Sequence, residues 1–207
     1  MDLRSTYDRI ADDWAKDHAV DTWWIEGTDK FCSQLWPGAA VLDVGCGAGF
    51  KTNYLAEKGF DVTGFDFSEK MIAAAKRKYP KLRFEVADIY DVDRFNGKFD
   101  AVFAQAVLLH VPKSRIPEVI EKMMSRLNAG GLLYIAVKEK REGDAEEEVK
   151  RENDYGYDYE RFFSYFEKKE LRDHFKKAGM ELIWESLKDS NSSSRPRNWL
   201  QAIGKKI

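Results

Sequence analysis

The 207-residue sequence predicts an α/β fold, a doubly wound parallel sheet that ends in one antiparallel strand. Three observations predict it. From Ala39 onward, short apolar runs alternate with longer segments of helical period. A turn carrying Gly45, Gly47 and Gly49 follows the first run, at the edge where such sheets bind ligands. Near the end, "ELIWESL" and "RNWLQAIGKK" have no helix between them, so they read as a hairpin whose last strand is antiparallel.

The elements follow in order. Residues 1–38 form a helical extension, with Tyr7, Ile10, Ala11 and Trp14 on one face at i, i+3, i+4 and i+7 and Ser5 as its candidate cap. It is expected to pack near the carboxyl edge of the sheet, as part of one domain with residues 39–207. "VLDV" is the first strand, and "FKTNYLAEKG" is a helix stopped by Gly59. "DVTGF" is the second strand; "SEKMIAAAKRKY" is a helix capped by Ser68, with Pro80 just past it. "LRFEVA", a turn-rich connection and "FDAVFA" supply strands three and four. A helix is expected from about Ser114 to Asn128, with Pro117 in its first turn and Gly130 and Gly131 beyond it. "LLYIAV" is strand five, and "FEKKELRDHFKKAGM" is a helix closed by Gly179.

Composition narrows the function classes. Hydrophobic residues make up 43% and charged residues 34%, and the net charge of -2 creates no field that gathers nucleic acid or anionic membrane. Cys32 and Cys46 do not form a disulfide framework, and no metal-ligand pattern surrounds them. No apolar run is long enough to span a bilayer, and the polar, acidic opening is unlike a secretory signal, so the expected location is the cytoplasm. Nothing in the pattern sets an oligomeric state.

The glycine turn asks for a ligand. A dinucleotide fingerprint needs a glycine at its sixth position, where this chain has Phe50. A phosphate loop needs a following Gly-Lys-Ser/Thr, which is absent. Taken together, "VLDVGCGAG", the acidic end of "VTGFDFS", "VADIYD" and "NAGGLLYIAV" resemble the class I S-adenosylmethionine-dependent methyltransferases over Val41 to Val137. The resemblance implies a Rossmann-like seven-stranded sheet with its last strand antiparallel, S-adenosylmethionine as cofactor and no metal.

The resemblance also implies roles. Asp66, about twenty residues past the glycines, would accept the ribose hydroxyls, or cap the helix at Ser68. Phe67 and Met71 would flank the adenine, or pack in the core. Asp88 would accept from the adenine amine while the Ile89 N–H reaches a ring nitrogen; alternatively Asp88 caps the turn before "YDVD". Gly45 and Gly47 would run beneath the methionine part, with Asp43 near its ammonium or orienting the loop. Ala104 and Gln105 would face the same moiety. Relatives with a similar "YDRIADDW" opening close their first helix over the cofactor, which brings in Tyr7 and Trp14. Cys46 reads as a packing residue.

The implied reaction is an in-line methyl transfer. Alignment of the reactants accounts for about 7–11 kcal/mol of barrier lowering in intramolecular precedents. A general base is required only for an acceptor that is protonated at working pH. His110, in "AVLLHVP", is the candidate, its alternative being a histidine packed at a helix–loop junction. His18 and His174 read as solvated.

The acceptor is read from the variable segments. These are the extension with Trp23 and Trp24, and "NDYGYDYERFFSYF", Asn153 to Phe166; their aromatics form a lid or simply cover the sheet edge. The slot used by exocyclic-amine methyltransferases of nucleic-acid bases reads "FAQAV", and no Pro-Cys nucleophile is present. A small-molecule acceptor is the leading reading. The alternative is tRNA: the tail is similar to that of wobble-uridine carboxymethyl methyltransferases, with Arg195, Arg197 and Lys205 on phosphate. A third reading is a non-catalytic cofactor-binding module.

Overall fold

The computed structural model describes residues 2–188 and 198–207. The extension folds as α1 (Leu3–Asp17), a short 3-10 turn and α2 (Ile25–Cys32). There follow β1 (Ala40–Val44), α3 (Phe50–Glu57), β2 (Asp61–Asp66), α4 (Glu69–Lys78), β3 (Arg83–Val86) and β4 (Phe99–Gln105). The second half holds α5 (Ile116–Arg126), β5 (Leu127–Lys138), β6 (Glu147–Glu152), β7 (Tyr159–Ser164), α6 (Lys168–Lys177), β8 (Met180–Lys188) and β9 (Trp199–Lys206).

Seven strands form one sheet in the order β3-β2-β1-β4-β5-β9-β8. The first five are parallel, and β9 is antiparallel to both β5 and β8, as the sequence predicts. The sheet alternates its faces. Leu42, Val102 and Leu133 bury against α5 and α6 through Val119, Met123 and Phe175, while Val41, Phe103 and Tyr134 bury against α2 and α3 through Phe31 and Leu55.

Three expectations are corrected, and one element is added. Asp2, not Ser5, caps α1: its carboxylate accepts from the Ser5 N–H at 3.2 Å, which extends the helix to Leu3. The helix expected over 114–128 is α5, shorter at both ends, because Leu127 is already extended and pairs with Phe99 before the register shifts. His18 stacks on Trp14 with centroids 4.2 Å apart, and His174 lies against Glu170 at 3.6 Å, so both rings are partly covered rather than fully solvated. Finally, residues 147–164 form an antiparallel hairpin, β6 with β7, outside the main sheet. Its first strand, "EEVKRE", is so charged that no apolar alternation announces it.

Candidate functional site

All the site elements meet at the carboxyl edge of the parallel strands. The loop from β1 to α3 runs through Gly45 (φ 69°), Gly47 (φ 53°) and Gly49 (φ 81°), a left-handed geometry that disfavours side chains. At Gly45 the space is also taken: a Cβ there would lie 2.5 Å from Val107 Cγ2. The next turn, at the end of β4, holds Ala106 at φ 58°, which is what aims Val107 back at the glycine.

Asp66 ends β2. One of its oxygens accepts from the Gly47 N–H at 3.0 Å and the other from the Ser68 N–H at 2.9 Å. Burial pushes its carboxyl up to about 6 despite those bonds. Ser68 itself caps α4, accepting from the Met71 N–H at 3.1 Å and donating to Asp8 of α1 at 2.6 Å. Asp88 caps the short turn after β3 through the Tyr90 N–H at 3.1 Å, and Arg4 of α1 pairs with it at 3.5 Å.

A cavity of about 540 Å³ lies between these carboxylates. Of the residues proposed from sequence, Gly45, Asp66, Phe67, Asp88, Ile89 and His110 line it. The remainder sit behind or beside that lining. Asp43 is buried and accepts from Thr52 Oγ1 at 2.6 Å, and burial raises its carboxyl to about 6. Trp14 covers Gly47, its ring 3.3 Å from where a Cβ would stand, and Met71 packs with Ala48 and Ala74 beneath α1. Ala104 and Gln105 are buried at the end of β4. Thr28 donates to Gln105 Oε1 at 3.4 Å, but Gln105 Nε2 is the single buried side-chain nitrogen or oxygen without a partner among the described residues.

Tyr7 and His110 stand together. His110 Nδ1 lies 2.7 Å from the Phe162 carbonyl, which only accepts, so that nitrogen carries the proton. Nε2 therefore accepts from the Tyr7 hydroxyl at 2.7 Å. Burial, with Arg161 and Lys138 nearby, pushes His110 down to about 3, so the ring is neutral. Arg161 donates to the Tyr7 hydroxyl at 3.4 Å and is held by both oxygens of Glu152 at 2.5 and 2.8 Å.

Sequence reasoning named only the smaller part of the cavity wall. Leu3 and Arg4 come from the capped start of α1, and Val149 and Phe162 from a cross-strand pair of the hairpin. The signal for the hairpin was its turn: Gly156 sits at φ 80° inside "NDYGYD". The other tryptophans do not reach the cavity. Trp23 stacks on Trp199 at 3.9 Å, and Trp24 meets Tyr54 edge-on at 5.1 Å. Lys205 pairs opposite Leu132, at the end of β5 away from the site, while Arg195 and Arg197 lie outside the described residues. No helix among the described residues is long and apolar enough to cross a membrane.

Comparison with known proteins agrees with this fold. A family model described as a methyltransferase domain matches residues 41–131. Trans-aconitate 2-methyltransferase of Variovorax paradoxus is 36% identical over 106 residues, which are 50% of this chain and 40% of that enzyme. A putative methyltransferase of Bacillus subtilis is 32% identical over 143 residues, 64% of this chain and 53% of that one. The chain thus spans about half the length, or less, of these curated relatives. Among solved structures, the Burkholderia thailandensis 1,6-didemethyltoxoflavin-N1-methyltransferase with bound S-adenosylhomocysteine superposes with a TM-score of 0.76 at 20% identity, covering 99% of this chain and 87% of that one. Magnesium protoporphyrin IX methyltransferase from Synechocystis, with bound S-adenosylmethionine, superposes at 0.73 and 19% identity, covering 99% and 95%. Glycine turn, acidic strand ends and antiparallel last strand agree with the matched region: residues 41–131 match a methyltransferase domain, and the fold is that of solved S-adenosylmethionine-dependent methyltransferases.

Proposed function

We propose that this protein binds S-adenosylmethionine in the 540 Å³ cavity and transfers its methyl group to a small-molecule acceptor. The observation that carries the reading is that Asp66 and Asp88 line one cavity together with Gly45. Asp66 uses one lone pair of each oxygen on backbone N–H groups, so each oxygen keeps another for a ribose hydroxyl. Asp88 would accept from the adenine amine, and the Ile89 N–H would reach a ring nitrogen. Phe67 supplies an apolar wall.

The amino-acid end of the cofactor fits beside Gly45 and Gly47. The unpartnered amide of Gln105 is a buried donor in want of an acceptor, which a carboxylate supplies. Asp43 offers the opposite charge for an ammonium. The bound cofactor supplies an electrophilic methyl on a sulfonium. The chain's own part is to align the acceptor and exclude water, with α1 as the lid: Asp8 fastens it to Ser68, Arg4 to Asp88, and Trp14 covers Gly47. His110 Nε2 receives a proton from an acceptor only when Tyr7 gives up its place there.

Calorimetry with S-adenosylmethionine and S-adenosylhomocysteine tests the cofactor reading; folded protein that gives no heat overturns it. A radiolabelled-methyl assay over metabolite fractions and bulk tRNA tests the acceptor, and label appearing in RNA overturns the small-molecule assignment.

A further inference from the structure

We infer that the acceptor carries an anionic group, and that Arg161, Lys138 and Lys150, gathered around the ring of Phe163, form the subsite that holds it. The inference rests on the methyltransferase reading and deepens it. The Lys138 ammonium lies 4.2 Å from the Phe163 centroid, the Arg161 guanidinium 5.2 Å and the Lys150 ammonium 6.0 Å. Three cations from two elements, the end of β5 and the β6–β7 hairpin, thus converge on one buried ring.

Such convergence costs stability. Lys150 stands directly opposite Arg161 in the hairpin register, and like charges at opposed positions repel. Glu152 offsets Arg161 with two hydrogen bonds, and Glu148 pairs with Lys150 at 3.5 Å. Lys138 brings a third positive charge to the same ring.

The cluster also sits in the right place. The Phe163 ring is 5.1 Å from that of His110, and Arg161 reaches the Tyr7 hydroxyl. Tyr7 and His110 are therefore the partition between the cationic cluster and the cavity, His110 lining the cavity side. Arg161 and Lys138 both act against protonation of His110, so their positive field extends to that partition. A cationic sulfonium brought up to it meets the same field. An anionic acceptor offsets both, holding the cations on one side and drawing the sulfonium from the other.

The test uses the full chain with S-adenosylhomocysteine and two probe anions, citrate and inorganic phosphate, against sodium chloride at matched ionic strength. Citrate or phosphate is expected to raise the melting temperature beyond the chloride control. In the double variant Lys138→Gln, Lys150→Gln the affinity for that anion is expected to fall by at least about tenfold, with unchanged calorimetric affinity for S-adenosylhomocysteine, which also reports that the variant is folded. Lys150→Arg in place of Lys150→Gln is expected to restore part of the loss. Equal anion response in wild type and variant, or no response beyond chloride in a wild type that still binds S-adenosylhomocysteine, overturns the inference alone. A folded wild type that binds no S-adenosylhomocysteine overturns the methyltransferase reading, and this inference with it.

Discussion

The Tyr7 hydroxyl donates to Nε2 of His110 across 2.7 Å, joining the first helix to the turn that follows β4, 103 residues later in the chain. The opposite edge of the imidazole is tied to the Phe162 carbonyl of the hairpin, also at 2.7 Å. One neutral ring thus holds three elements around the cavity mouth.

Removing the phenol leaves Nε2 without its donor. Tyr7→Phe is expected to cost about 1–3 kcal/mol in denaturant-monitored stability, the range for stranding a buried partner. Amide exchange in α1 should rise with it. A variant as stable as wild type, with α1 equally protected, would show that the bond contributes nothing to lid docking.

His110 makes stability depend on acid in a definite direction. Its folded pKa is about 3, below the ordinary 6.5, so between these values the unfolded chain holds a proton that the native protein refuses. Its contribution is complete above about pH 6.5 and shrinks as pH falls toward 3, by up to about 1.4 kcal/mol per pH unit. Stability curves of wild type and His110→Gln should converge on acidification. Imidazole NMR signals that titrate near 6.5 would contradict this.

Asp66 acts in the opposite sense. Its pKa is raised from 3.8 to about 6, so the proton it binds stabilises the fold fully below about pH 3.8, an advantage lost as pH rises through 6. The proposed role of Asp66 on a ribose needs the ionised form. Calorimetric affinity for S-adenosylhomocysteine should be level above pH 7 and weaken below 6, by up to about tenfold per unit if one proton is taken up. Asp66→Asn should bind weakly at every pH and flatten that profile, even with Asp43 titrating nearby. A profile unchanged in the variant would assign the proton elsewhere.

Gly45→Ala meets two separate obstacles, the left-handed backbone and the Val107 side chain. The combined loss should exceed about 2 kcal/mol. Adding Val107→Ala removes the Cγ2 contact at 2.5 Å but leaves the Val107 Cβ at 2.7 Å and the backbone strain of about 1 kcal/mol. Thermal melts of the single and double variants should therefore show partial rescue, and no rescue would mean that the strain dominates.

The sequence by itself determined the parallel sheet, its antiparallel last strand, the glycine loop and the acidic ends of β2 and β3. Those features are written in local patterns: apolar runs of strand length, caps such as Ser68, glycines where the backbone turns left-handed. Only the tertiary structure decided that Tyr7 meets His110, that Arg4 reaches Asp88, and that Val149 and Phe162 close the cavity. The β6–β7 hairpin stayed hidden because its strands are tied by the Arg161–Glu152 ion pair and by the ring of Phe163 packed behind them, not by alternation of apolar residues. Contacts between segments a hundred residues apart leave no periodicity in either one. They arise when the sheet brings its carboxyl edge, the first helix and the hairpin to a common place.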